Sequence, residues 1–412
     1  MLTTDPVSSV PFGLREVSMK HKNLRLILSV LLILALLCGC SARGKALPVG
    51  SSASVPETEP TTSVPETEPT MIPETTEPQD TFSVTYNAVG KPVVHVPGPT
   101  DDRPAYSYTF NPHVCSSICR QALGDAVEAE LYAFCDALLA GEDSFPCEND
   151  ETWERVHAAM QEALPLSVLV SIGEEFEDDK LQDGRYPIDY SMDKAEFLEK
   201  ASEFQTRIEE LVAAADLREG DTDLERAIKL FHEESLRCVY DFETIIKFEA
   251  GEYQSNAYHT LTTDTGICQE FAGAYAYLLL QVGVDASVVA SRMYDNDVHG
   301  WTILKIDDVW YNADVTWQLN QPYSLSFFGV TDDERSYHGV DLDWNDYGGY
   351  GMITHDDMQV TDQRFFYDFP SVQWFRIDHD KQQLIYFYDP DFDVENEDSY
   401  AAEETETFSL LP

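Results

Sequence analysis

Two hydrophobic periods alternate along this chain and divide it. Between residues 117 and 140, Ile118, Ala126, Leu131, Phe134, Cys135 and Leu138 recur at near-helical spacing. Residues 151–164 repeat the pattern with Trp153, Val156, Met160 and Leu164, and stop before Pro165, because a residue preceding proline is pushed out of helical geometry. A third helix is predicted over 193–215 on Phe197, Phe204, Ile208 and Leu211. A fourth is predicted over 223–240, with Asp223 as N-cap and Ile228, Phe231 and Val239 as its apolar stripe. Another starts at Cys268 and carries Phe271, Tyr275, Leu278 and Val282. Beyond it the period becomes two. "ASVVASRMY" reads as a strand, and "HGWTILKIDDVWYNADVTW" as two strands around Asp307-Asp308. "FSVTYNAV" and "KPVVHV" predict short strands early in the chain, and "WFRIDHDKQQLIYFYD" a hairpin late in it. Helices followed by an antiparallel sheet make an α+β fold.

The first 81 residues follow neither period. Lys20, Lys22 and Arg25 precede an apolar run from Leu26 to Cys38, which is 13 residues long. A bilayer span takes about 20, so the run suits an export signal. It ends in Leu37-Cys38-Gly39-Cys40, which resembles a bacterial lipobox; the resemblance implies lipidation of Cys40 as the mature N-terminus. Met19 stands at the head of this leader as an alternative start to Met1. A nine-residue unit, "SVPETEPTT", then begins at Ser54, repeats at Ser63 and degrades from Met71. Closely spaced proline, threonine and glutamate cannot build a packed core, and form an extended, charged tether. The expected division is 1–39 signal peptide, 40–81 disordered tether, 82–215 strand and helical region, 216–345 core, 346–393 hairpin extension and 394–412 acidic tail.

Composition changes the picture in one respect. With 75 acids against 26 bases the formal charge is −49, which excludes nucleic acid as a partner, since phosphate contacts need clustered Lys and Arg. The acidity reads as solubility outside a cell. Hydrophobic residues at 43%, with 21 Tyr and 21 Phe, suffice for a real core.

Eight cysteines remain to be sorted. Cys38 and Cys40 belong to the leader. Cys115 and Cys119 would share a helix face near His113, but no second pair stands at finger-like spacing. Core packing, or a disulfide with Cys135 or Cys147, suits an exported chain better than a metal; the pairing stays open, and no metal or cofactor is expected. Cys238 falls near the apolar side of its helix. "DPDFDVENEDSY" starts like a calcium loop with Asp389, Asp391 and Asp393, yet Val394 replaces the needed glycine and Tyr400 the closing glutamate.

Cys268 is different, because it begins a helix instead of lying on the buried face of one. Unpaired N–H groups and the positive dipole end there favour a thiolate, and the same groups can receive an oxyanion. A thiolate acting on an amide needs a base, and the base an orienter. His299 follows 31 residues on and Asp314 another 15. If the hairpin turns through Asp307-Asp308, Ile306 faces Val309 and Asp314 lies opposite Trp301. His299 then shares a face with Trp301 and sits diagonally from Asp314, close enough for the carboxylate to hold the imidazole. A turn one residue longer would spoil that parity. Singly, each has a bland reading: a packed cysteine, a surface histidine, a strand-end aspartate.

Gly266, Cys268, His299, Trp301, Trp310, Tyr311, Asp314, Thr316 and Trp317 together resemble the transglutaminase-like core of the papain-type cysteine enzymes. The likeness extends from near Leu224 to Trp344, where Asp332 and His338 follow two aromatics, as they commonly do in that family. It implies Cys268 as nucleophile, His299 as general base and later acid, and Asp314 as the residue orienting His299. It also implies Tyr258 near the oxyanion, with core packing as its other reading, and Trp301 and His338 along the cleft. The expected function is acyl transfer to an amine, or hydrolysis, on protein or peptide amides at the cell surface, where cell-wall or host polypeptide is within reach and the membrane is touched only through the lipid anchor. The alternative is a non-catalytic binding module that keeps the fold and holds a polypeptide in the cleft.

Overall fold

The computed structural model describes residues 83–172, 184–294, 297–321, 324–351, 353–362, 374–388 and 404–411. They fall within one compact unit, Glu74–Pro412. The leader, Cys40, the tether and the calcium-like stretch lie outside the described residues.

A hairpin comes first, β1 (Ser83–Tyr86) with β2 (Pro92–His95). The run expected as one helix over 117–140 is two, α1 (Ser117–Leu123) and α2 (Val127–Leu139), because Gly124 takes a φ of +86° that ends the first. β3 (Ser144–Pro146), α3 (Asp150–Ala163) and β4 (Val170–Ser171) follow, then β5 (Arg185–Pro187), β6 (Asp189–Tyr190) and α4 (Lys194–Ala214). α5 (Asp223–Arg237) is capped by Thr222 and not by Asp223, since Thr222 and Glu225 complete a reciprocal capping box. After β7 (Val239–Tyr240) come two short helices that apolar periodicity does not signal, α6 (Phe242–Glu249) and α7 (Ala257–Thr263), started by the side-chain caps Asp241 and Asn256.

β8 (Thr265–Gly266) leads into α8 (Cys268–Gln281). Then β9 (Ala286–Met293), β10 (Val298–Ile306), β11 (Val309–Ala313), α9 (Val315–Gln318), β12 (Phe328–Val330), α10 (Asp332–Tyr337) and β13 (Val340–Tyr347) complete the core. The sheet order is β12-β11-β10-β9-β13, and every pair is antiparallel. Asp307 and Asp308 make a two-residue turn with φ of 51° and 65°, the primed geometry matched to strand twist. Ile306 therefore pairs Val309, and the ladder runs in that register to Thr302 and Ala313, as the parity argument requires.

The 82–215 region does not stand apart. Val114, Phe134, Phe204 and Ile208 share one buried cluster with Phe231, Tyr275, Leu278, Leu304 and Leu410. The predicted late hairpin forms as β14 (Trp374–Asp378) and β15 (Gln383–Tyr388). Part of the expected acidic tail is ordered as well: β16 (Glu404–Ser409) pairs along β15. Alternating Thr405 and Thr407 suit a strand, while Phe408 packs on the core and buried Leu410 anchors the end.

Candidate active site

α8 begins without a side-chain cap, because its N-cap residue is Ile267, so the first N–H groups have no side-chain acceptor. Glu270, fully buried one turn in, stabilises the start differently. Its Oε2 accepts from the Ile267 N–H at 3.2 Å and meets His259 Nδ1 at 2.9 Å. Its Oε1 accepts from the Tyr253 hydroxyl and the Asn256 N–H. This carboxylate ties α7 and the segment before it to the first turn of α8. Gly266 leaves room for it, since a Cβ there would stand 2.2 Å from Thr260 Oγ1 and 3.1 Å from Glu270 Oε2.

His299 is the second residue of β10 and is buried beside α8. Its neighbour Gly300 permits that approach: a Cβ there would meet Gln269 at 2.9 Å from Cγ and 3.1 Å from Cα. Thr302 adds a hydrogen bond of 2.9 Å to the Ala272 carbonyl, locking strand to helix. His299 Nε2 lies 2.7 Å from Asp314 Oδ2, and the Cys268 thiol is near enough to the ring to influence its titration. The nitrogen left for the sulfur is Nδ1. The imidazole stacks on Trp317 at 5.1 Å and 9°, and lies 6.2 Å from Trp301.

Asp314 caps α9, with Oδ1 accepting from the Trp317 N–H at 3.0 Å. Its Oδ2 receives both His299 and Arg335 Nη1, the latter at 2.8 Å. Burial pulls the His299 value down, but the Asp314 charge and hydrogen bond, with the nearby Cys268 thiol, raise it to about 9. Burial pushes Asp314 up, yet the His299 and Arg335 charges hold it down at about 2. The imidazole and the carboxylate of this pair thus favour being charged together.

The other proposed site residues fall in different places. Trp301 is buried beneath His299, not exposed in a cleft; its Nε1–H donates to Asn312 Oδ1 at 2.8 Å. Tyr258 packs on Phe204 at 5.6 Å, which is its core-packing reading. The tyrosine near Cys268 is Tyr240, on the strand pairing with β8. His338 lies at the exposed rim, 5.2 Å from Trp317. Asp332 supports the fold, holding Asn312, His355 and the Val360 N–H.

All six described cysteines are free thiols and buried, so Cys115, Cys119, Cys135 and Cys147 contribute packing and no cross-link. Burial pushes Cys135 up to about 12, and Cys238 higher still. His113 pairs with Asp136 at 2.7 Å and not with the cysteines. Ligand atoms of Cys115, Cys119 and Glu162 do lie within 4.8 Å of one another, but Ser116, Ser287 and Tyr350 already occupy the Glu162 carboxylate. Asp221, Glu225 and His379 are equally close together, with Arg103, Lys229 and Thr222 as partners.

Residues 213–315, which contain Cys268, His299 and Asp314, match the family model described as the transglutaminase-like superfamily. The chain thus carries a transglutaminase-like domain. Among solved structures it is similar to one described as a TGase, at 14% identity and a TM-score of 0.26, over 36% of this chain and 43% of that one. It is also similar to a protein from Cytophaga hutchinsonii provisionally described as a cysteine protease, at 14% identity and 0.25, over 38% and 45%. The chain thus spans less than half the length of either structure. No curated protein matches it.

Proposed function

We propose that the protein is a cysteine acyl-transfer enzyme acting on glutamine side chains or peptide amides. The observation that carries this reading is the His299 ring, held by Asp314 at 2.7 Å on a strand that Gly300 lets pack against the first turn of α8, where Cys268 stands. Cys268 and His299 react as a thiolate–imidazolium pair, with the thiol proton already on the imidazole, and the sulfur attacks the amide carbonyl carbon. N–H groups at the uncapped start of α8 receive the oxyanion. The C–N bond breaks, His299 returns the proton to the departing nitrogen, and a thioester remains on Cys268. An amine then takes the acyl group, or water hydrolyses it. Tyr240 and exposed Phe242 on one side, and His338 and exposed Tyr337 on the other, are the rim a polypeptide would meet.

The place of action we propose is the cell surface, through a lipid on Cys40 and the proline-rich tether. Mass spectrometry of the membrane fraction should find a diacylglyceryl group on Cys40, and an unmodified peptide beginning elsewhere would remove this part. For the chemistry, a glutamine-containing acceptor incubated with a labelled amine should gain the label or be deamidated, and a slow substrate should leave one acyl group on Cys268. A folded protein that forms no adduct with any glutamine- or peptide-mimicking electrophile would instead identify a binding module.

A further inference from the structure

Arg335 is fully buried in α10, with its guanidinium carbon 3.9 Å from the Trp301 ring and 4.3 Å from the Trp317 ring. Its Nη1 holds the Asp314 oxygen that also receives His299, while Nε and Nη2 are buried without hydrogen-bond partners. Leaving guanidinium donors unpaired costs free energy, and a neutral residue of similar shape would avoid that cost. The arrangement makes sense when charge is counted over the site. A thiolate, an imidazolium and a carboxylate together carry one net negative charge in a buried place. The Arg335 guanidinium cancels it. We infer that Arg335 is a positioning residue, which keeps Asp314 ionised and aimed at His299 and supplies the counter-charge that lets a thiolate–imidazolium pair exist there.

This rests on the acyl-transfer reading of Cys268. Other titratable groups around the site are separately engaged. Asp332 faces Arg335 from its own helix but is bound by Asn312, His355 and the Val360 N–H. Glu334 pairs with His338 at 3.3 Å, Tyr347 lies in the field of Asp332, and Tyr240 flanks Cys268 from the opposite side. Asp314 is thus the carboxylate bound to Arg335.

The test is the pH profile of Cys268 alkylation by iodoacetamide in the full chain, which needs no substrate. Wild type should show selective alkylation of Cys268 that persists at pH 6. Arg335→Gln keeps a donor for Asp314 but removes the charge. Its profile should move to higher pH by about one unit, since loss of a nearby cation disfavours both the thiolate and a neutral imidazole. Arg335→Lys restores the charge and should bring the profile back. A folded Arg335→Gln variant with an unmoved profile would overturn the inference while leaving the acyl-transfer reading intact. If Arg335→Gln does not fold, Arg335→Lys decides: a profile at the wild-type position supports the role, and a displaced one rejects it. Wild-type Cys268 that is no faster at pH 6 than Cys115, Cys119 or Cys238 would remove both readings together.

Discussion

Two histidine–carboxylate pairs flank Cys268, a buried one from the sheet and one with a half-buried histidine from the helical side. On the sheet side, Asp314 gives one oxygen to the Trp317 N–H and shares the other between His299 and Arg335. On the helical side, Glu270 accepts from Tyr253, Asn256, Ile267 and His259, so both oxygens are committed to holding the first turn of α8. The chemistry of the two pairs is alike and their surroundings are not. His299 stands near a thiol and is stacked on an indole, whereas His259 serves a carboxylate that is already a structural brace. What a pair does is decided by what the imidazole faces beyond its carboxylate.

If that contrast is right, removing the sheet-side machinery should stop turnover and removing the helix-side brace should loosen the fold. The largest effect is expected in Cys268→Ala, which should abolish turnover in the amine-incorporation or hydrolysis assay. Adding His299→Ala to it should cost nothing further, because the residues act as a unit. A double variant well below the single one would show that His299 acts elsewhere.

Asp314→Ala should retain more activity than that, falling roughly a hundredfold, since a misoriented base is still a base. The matched change on the other side, Glu270→Gln, should leave turnover within a few-fold and reduce stability by about 1–3 kcal/mol, as donors aimed at a carboxylate lose it. Turnover and urea unfolding measured on both variants give the answer. If Glu270→Gln lost activity at unchanged stability, the division between the two sides would fail.

Gly300→Ala tests the joint between the sides. Its Cβ would stand 2.9 Å from Gln269 Cγ and 3.1 Å from Gln269 Cα, and a backbone atom cannot give way as a side chain can. β10 should back off from α8 by a few tenths of an ångström and separate His299 from Cys268, with about tenfold less turnover and a normal melting curve. Unchanged activity would mean the two elements tolerate more slack than their packing suggests.

The sheet side is far more legible in the sequence than the helical side, for physical reasons. Asp307-Asp308 reads as a two-residue turn between alternating strands, and with that turn parity puts His299 and Asp314 on one side. Cys268 declares itself by standing at a helix start. Arg335 carries no such signal: it sits among Asp332, Asp333 and Glu334, a run that reads as solvated surface until folding brings it 2.8 Å from Asp314, 21 residues away in sequence. Glu270 looks like an ordinary first-turn acid until Tyr253 and His259 converge on it. α6 and α7 are too short for periodicity and depend on single capping residues. β16 is hidden because acidic composition masks its alternation.

The smallest effect separates the two histidines by pH. The hydrogen bond to Glu270 raises the His259 value above the ordinary 6.5, against an opposing contribution from burial. A histidine whose folded value is raised binds its proton more tightly when folded, so its contribution to stability is complete below about pH 6.5 and is lost as pH rises through the folded value. His259→Gln keeps a donor for Glu270 but cannot titrate. The stability difference between wild type and this variant, from urea unfolding at several pH values, should therefore shrink as pH rises above the ordinary histidine range. It should stay below about 1 kcal/mol, because the His259 side chain is 24% exposed and partly screened. The same comparison with His299→Gln should begin to shrink at the same pH, about 6.5, but go on shrinking until about pH 9, where the more deeply buried ring gives up its proton. Two gaps that close over one shared pH range would mean that the carboxylates on either side of Cys268 hold their histidines equally, and the contrast between a proton-moving pair and a structural brace would be lost.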